Sequence, residues 1–309
     1  MTNRTTDAIH FGLMLSALVI TYLVPFELLL LSYVALGPAH YFTEISWLHD
    51  RKYFLPHRSV PIGLAILAVI AALIDNASWF GFIIWMAFVV CALLAAATTA
   101  LQGTALVIVA IWLTTVLAMN GSSLAVLGIL LPTLIHVSLF TLVFMVLGAV
   151  RSGSKTQALL IALYLLAVVI LLAAPPPSAS TQIPAFAKAA QDYFGNVAPA
   201  LGRLLGIANL NLDTRLIGLL AFVYTYHYLN WFIKAEVIRW TDVSRMRLAL
   251  IVAASAASTA LYFYDYAFGF TVLLALSLMH VVLEFPLNSL ALRQLGTAVG
   301  QRVVSHRRA

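Results

Sequence analysis

Residues 124–150 read LAVLGILLPTLIHVSLFTLVFMVLGAV, a run with no Asp, Glu, Lys or Arg whose only ionisable side chain is His136. As an α-helix it would extend about 40 Å at ~1.5 Å per residue, more than the roughly 30 Å of a bilayer's hydrocarbon. Lipid offers the backbone no hydrogen-bond partner, so such a segment must satisfy its own amides, and a helix does so within one strand of chain.

The same signature fills the rest of the chain. Of 309 residues, 63% are hydrophobic and 9% charged, against about 25% charged in a soluble domain, and the mean hydropathy is +1.00. The apolar runs are far too long for barrel strands. The expected fold is an all-α, polytopic integral membrane bundle of about ten transmembrane helices. Breaks at Pro, Gly, Asn and Asp place them near 8–24, 26–49, 59–75, 79–100, 103–119, 122–150, 156–174, 213–240, 245–263 and 266–294. Together they form a single transmembrane domain over residues 1–309. The first apolar stretch has no small-residue cleavage site and runs on into further apolar sequence, so it reads as a span rather than a removable signal.

Lys and Arg alternate from loop to loop. One side carries Arg51, Lys52 and Arg58, then Arg151 with Lys155, the stretch from Lys234 to Arg247, and the C-terminal arginines. The other carries Glu27, Asp75, Asn76, Asn120 and Asp265, with no Lys or Arg in its short turns. By the positive-inside rule, ten spans with both termini cytoplasmic satisfy this pattern. The net charge of +6 then belongs to cytoplasmic loops and not to a nucleic-acid surface. Residues 175–212 begin with three prolines and mix Lys188, Asp192 and Arg203 with Ala, Phe and Tyr at helical spacing. They read as a non-cytoplasmic interfacial loop with an amphipathic helix. Cys91 is the single cysteine, which excludes internal disulfides and cysteine-based zinc or iron–sulfur sites.

Ionisable groups are costly in hydrocarbon and usually face a bundle's interior, where they serve a function. Counted from the breaks at Pro25, Gly121, Asp213 and Asp265, His40, His136, His227 and His280 lie fourteen or fifteen residues into their helices. That is about 21–22 Å at 1.5 Å per residue, so all four share one depth. Glu44 and Glu284 follow His40 and His280 by four residues and lie on the same helix faces. Four imidazoles and two carboxylates at one level suit a transition metal, with iron, zinc, copper and manganese all compatible. The glutamates either ligate directly, as in carboxylate-bridged dinuclear bundle sites, or orient ligating histidines from outside. His10, His49, His57 and His306 are expected at the cytoplasmic surface.

Around His227, the three- and four-residue spacings select Tyr224, Asn230 and Trp231 as neighbours, while Tyr226 and Tyr228 should point elsewhere. Tyr224 and Asn230 join Glu44 and Glu284 as candidate catalytic residues. Pro38 and Pro132, just before His40 and His136, should free backbone carbonyls and bend their helices beside the site, and Pro286 should do the same after Glu284.

A buried metal with no charged path to either surface suits a substrate that arrives from the lipid, such as an isoprenoid, an acyl chain or a quinone. Non-haem iron working with O2 is the first reading. Alternatives are a haem-binding electron-transfer or haem-handling protein, with zinc, copper or manganese also open as metals, and a proton- or cation-coupled transporter. The segment Gly37-Pro38-Ala39-His40 with an acidic residue soon after, the later histidine positions, and the size and hydropathy of the chain resemble the Brp/Blh family of membrane β-carotene dioxygenases. The resemblance implies an all-helical fold, iron held by His40, His136, His227 and His280, and cleavage of a carotenoid-like substrate. A late, closely spaced histidine pair is expected in that family, whereas here His227 is followed by Asn230 and Trp231. The expected location is the bacterial inner (plasma) membrane, with lipid, a lipid-soluble substrate and O2 as partners and no nucleic acid.

Overall fold

The computed structural model describes the whole chain except residues 1–2, 56, 98, 120–122, 178–184, 196, 206–211 and 307–309. Among the described residues every regular element is helical. In chain order these are α1 (Asn3–Leu23), α2 (Pro25–Leu31), a π-helical segment (Ser32–Leu36), α3 (Gly37–Asp50), α4 (Ser59–Leu73), α5 (Ala77–Ala96), α6 (Ala100–Met119) and α7 (Ser123–Leu130). A second π-helical segment (Leu131–Phe140) leads into α8 (Thr141–Ser152), followed by α9 (Lys155–Ala173), α10 (Lys188–Gly195), α11 (Val197–Leu205), α12 (Leu212–Ile233), α13 (Ala235–Ile238), α14 (Arg245–Tyr264) and α15 (Tyr266–His306).

Eight of these helical units are long and apolar enough to cross a membrane. They correspond to eight of the ten expected spans. The expected span near 26–49 is a continuous helical unit, but a π turn divides it and its second half carries His40, Thr43, Glu44, Ser46, His49 and Asp50. The expected span near 59–75 is the shorter apolar helix Ser59–Leu73.

Local sequence sets most helix ends. The Asn76 side chain accepts from the amides of Ser78 and Trp79 at 3.1 and 3.0 Å, and Asp265 accepts from Ala267 and Phe268 at 3.1 and 3.0 Å. Ser154 and Ser244 cap α9 and α14 in the same way. Each side chain satisfies amides that the first helical turn leaves without partners. Gly153, at φ +65°, ends α8 in the left-handed conformation that glycine adopts without steric cost.

Hydrogen bonds join the Lys- and Arg-bearing loops. Arg247 bonds the Asp50 carboxylate at 2.7 Å and the Ser46 carbonyl at 2.6 Å. Trp47 donates to the Ile238 carbonyl at 2.8 Å, and Arg151 donates to Gln294 at 2.7 Å. At the other end, Tyr22 bonds the Ala174 carbonyl and Tyr262 bonds that of Phe186. The helices α10 and α11 pack onto the bundle there, with Phe194 buried edge-on against Tyr33 and Tyr224 at 5.3 and 5.7 Å between ring centres.

Two large apolar clusters and a small third one, Val143 and Leu147 against Ala291, form the interior among the described residues. One large cluster gathers α1, α2, α9 and α12 around Tyr33, Phe222 and Tyr226; the other joins α3, α4, α5 and α15 around Leu48, Ile84 and Phe285. The α5 and α7 backbones touch at a glycine pair, since a Cβ added to Gly128 would lie 2.2 Å from the Gly81 Cα. By contrast α6 buries none of its residues and presents Val107, Ile108, Ile111 and Trp112 outward.

Candidate metal centre

The four histidines come together as one cluster of rings from four different elements. His40 comes from α3, His136 from the second π segment, His227 from α12 and His280 from α15. Ring centres are separated by 4.8 Å for His40 and His227, 5.2 Å for His40 and His280, 5.1 Å for His136 and His227, and 5.2 Å for His136 and His280. The closest ring nitrogens, Nε2 of His40 and of His227, are 3.2 Å apart. Two nitrogens bound to one ion at about 2.1 Å stand roughly 3.0–3.4 Å apart, so this pair already has the spacing of co-ligands. His40, His227 and His280 each offer a nitrogen within 4.8 Å of the others, and His136 closes the cluster beside them.

Both carboxylates belong to the same centre. Glu44 Oε2 lies 3.0 Å from His40 Nε2, and Glu284 Oε2 lies 3.5 Å from His136 Nδ1. The two carboxyl groups also meet each other. All of these side chains except the half-buried His227 are buried.

The fit to a metal rests on unsatisfied atoms. His40 Nδ1, Nε2 of His136 and both ring nitrogens of His280 are buried without a well-formed hydrogen bond, His280 having only a backbone approach at Ser277, while Oε2 of Glu44 and of Glu284 meet only an imidazole and the other carboxyl group. A buried polar atom without a partner costs about 1–3 kcal/mol. So many at one point are economical only if something else binds them, and an imidazole–carboxylate donor set is what a transition metal of intermediate softness takes.

Helix irregularity positions two of the four. Both π segments precede or contain a ligand candidate, with Pro38 and Pro132 beside them, as the expectation of freed carbonyls required. A carbonyl released at the first, Val34 O, accepts from Thr259 of α14 at 2.9 Å. At the second, Ser138 bonds Tyr164 at 3.2 Å through its hydroxyl. A π turn shifts the helical phase of the residues that follow it, and such turns are frequent at functional sites. Around Pro286, α15 continues unbroken.

Comparison with protein-family models, with curated proteins and with solved structures found no match.

The surroundings of His227 divide along α12. At about 100° per residue, Trp231, Tyr224 and Tyr228 fall to one side of His227 and Asn230 to the other. Trp231 meets His40 at 5.4 Å between ring centres and donates to Thr43 at 3.0 Å. Tyr228, expected to point elsewhere, also reaches the centre, 4.9 Å from His40, and its hydroxyl bonds that of Tyr41 at 2.7 Å. The centre subtends a wider arc of α12 than one helix face because His40 arrives from the flank. Tyr224 lies a turn away, against Tyr33, Phe194 and Tyr228. Asn230 faces a separate cavity that it shares with His10 and Lys234.

His10, expected at the surface, is 4% exposed and edge-on to Tyr226. The first span begins before residue 8, so His10 sits inside the bundle and not at its rim. His49 and His57 are exposed as expected; the side chain of His306 lies outside the described residues, as does that of Glu236.

Three supporting groups have no counterpart in the sequence reading. Thr141 Oγ1 is 2.8 Å from His227 Nδ1; a proton held there leaves Nε2 free to face the centre. Tyr41 stacks on His280 at 4.3 Å and 21°. Asn288 is wholly buried, with neither amide atom bonded. Only the His280, Glu284, Asn288 spacing of four and four could have flagged Asn288; Thr141 and Tyr41 meet the centre through packing between helices.

Proposed function

We propose that this protein is a membrane-embedded, metal-dependent oxygenase or oxidoreductase acting on a lipid-soluble substrate of the isoprenoid, carotenoid or acyl class, with non-haem iron as its metal. One observation carries the reading: four imidazoles from four elements cluster with neighbouring ring centres 4.8–5.2 Å apart, three of them offering nitrogens within 4.8 Å of one another, with two carboxylates beside them, inside an apolar bundle. His40, His136, His227 and His280 would hold the ion. Iron there would supply redox chemistry and affinity for O2. The tight spacing of the rings favours a single small ion over a porphyrin.

The chain's own residues would do the rest. Thr141 fixes the tautomer of His227, and the Tyr41 ring holds His280 in orientation. Glu44 and Glu284 balance the positive charge of a divalent ion and keep His40 and His136 basic. The apolar residues next to the ligand candidates, with Val137, Leu278 and Val281 buried, would limit water at the centre, and the substrate would arrive from the lipid. The resemblance of the Gly37-Pro38-Ala39-His40 segment to the Brp/Blh family points to the same chemistry. The Lys- and Arg-bearing loops support an orientation with both chain ends on the cytoplasmic side, and we place the protein in the bacterial inner (plasma) membrane as part of the same proposal.

Elemental analysis and a visible spectrum of the protein purified in detergent test this reading. We expect about one iron per chain without the intense Soret absorption of haem. Protein that remains metal-free after expression in iron-replete medium would refute it, and a Soret band would replace it with the haem reading.

A further inference from the structure

A second internal site lies one helical turn from His227. A cavity of about 290 Å³ opens between α1, α8, α9 and the end of α12. It contributes nothing to the histidine centre. Its walls combine Phe144, Met145 and Leu160 with the ring of Tyr226, and its polar groups come from α1, from Asn230 and Lys234 at the end of α12, and from Gln157 of α9.

Two of those polar groups lack partners. His10 Nε2 and Asn230 Oδ1 are buried without hydrogen bonds, and the other His10 nitrogen is 3.5 Å from the Tyr226 hydroxyl. The cavity also receives one acid, Asp7, and one base, Lys234, which form no ion pair among the described residues. An anion would meet Asp7 and a cation would meet Lys234, so the lining suits a neutral ligand with oxygens able to donate or accept. Apolar and aromatic walls select a flat ring. The volume lies at the lower limit of small-molecule pockets, about 300 Å³, and suits a head group and not a whole lipid. Leu15 and Val19 of α1, and Leu159, Leu165 and Leu166 of α9, turn outward beside it, which offers an apolar path for a tail along the protein surface.

We infer that this cavity binds the ring head group of a membrane quinone or quinol, with His10 and Asn230 holding its oxygens and Phe144, Met145 and Leu160 packing its ring. The inference goes beyond the metal reading and does not depend on it.

The probe is decyl-benzoquinone, oxidised and reduced, titrated by microcalorimetry into the full-length protein in nanodiscs. We expect saturable binding of one molecule per chain. Asn230→Leu and His10→Phe should each weaken it about tenfold, the loss of one hydrogen bond. Leu160→Trp, which fills the cavity, should abolish it, and His57→Ala should leave it unchanged. Metal content, measured in parallel, should be the same in all four variants. Non-saturable uptake, or binding that survives Leu160→Trp, would overturn the inference, and a decyl alcohol binding as tightly as the ring compound would reduce the site to an apolar cleft. If His40→Ala strips the metal while quinone affinity persists, the two sites are confirmed as separate. A metal-free wild type that still binds the ring would sink only the metal reading.

Discussion

At the scale of single residues, the roles within the centre separate by what each side chain touches. His136 and His227 approach it from elements other than those that bring Glu44 and Glu284; removing His227 leaves the His40–Glu44 pair in place, while removing His136 also takes away the ring beside Glu284. His136→Ala and His227→Ala should each abolish metal retention while the protein still elutes as a folded species from size exclusion; His57→Ala, at an exposed position, should retain a full complement. Normal occupancy in both core variants would end the four-histidine assignment. Glu284 sits 3.5 Å from His136 Nδ1, close enough to polarise that ring. Glu284→Gln should therefore weaken metal binding by about 10–100-fold, as loss of an outer partner does, and a competitive chelator titration measures it. Complete loss would make Glu284 a ligand. Thr141→Val, which removes the 2.8 Å contact to His227 Nδ1, should weaken binding by about tenfold on the same ground.

Elements matter here through irregular turns and close approaches. Both π segments sit beside a proline that interrupts regular bonding; the second contains His136, and the first leads into α3, which carries His40. The α5 and α7 contact has the opposite character. It depends on two missing side chains, and a methyl on Gly128 would collide with backbone, which cannot yield as a flexible side chain does. Without a hydrophobic drive between helices in lipid, such small-residue contacts carry much of the packing. Gly128→Ala should lower the thermal unfolding midpoint in detergent, at a cost of about 1–3 kcal/mol. Gly12→Ala, where an added Cβ meets nothing within 4 Å, serves as the control and should leave the midpoint unchanged or raised. Equal behaviour of the two would remove the close approach as a source of stability.

For the whole molecule, the metal and the bundle are expected to stabilise each other. Ligands drawn from α3, α12, α15 and the second π segment tie four separate parts of the chain, and anything bound only by the folded form adds stability by mass action. Chelator treatment should lower the unfolding midpoint of wild-type protein, with Fe(II) restoring it, and should have no effect on His227→Ala. Topology gives a second whole-molecule expectation. Arg58→Cys and Asp265→Cys, in a Cys91→Ala background, should label from opposite sides of the membrane with an impermeant thiol reagent; labelling from one side would disprove the expected topology.

Helicity and depth were legible in the residues themselves. Uncharged runs such as 124–150 leave a helix as the only spanning structure, and the similar distances of His40, His136, His227 and His280 from their helix breaks follow from a fixed rise per residue. The i and i+4 pairs put Glu44 and Glu284 on their histidines' faces for the same reason. Direction around the helix axis was not legible, because it depends on which neighbour supplies the other wall. That is why Asn230 turns to the α1 cavity while Tyr228 joins the centre, and why His10 lies within the bundle. Thr141, Tyr41 and the Gly81–Gly128 contact are equally products of packing: each pairs positions far apart in sequence, and no local rule of spacing connects them. The sequence by itself determined an all-helical membrane chain with a layer of imidazoles; only the tertiary structure decided that the layer gathers into one cluster and that a second cavity opens beside it.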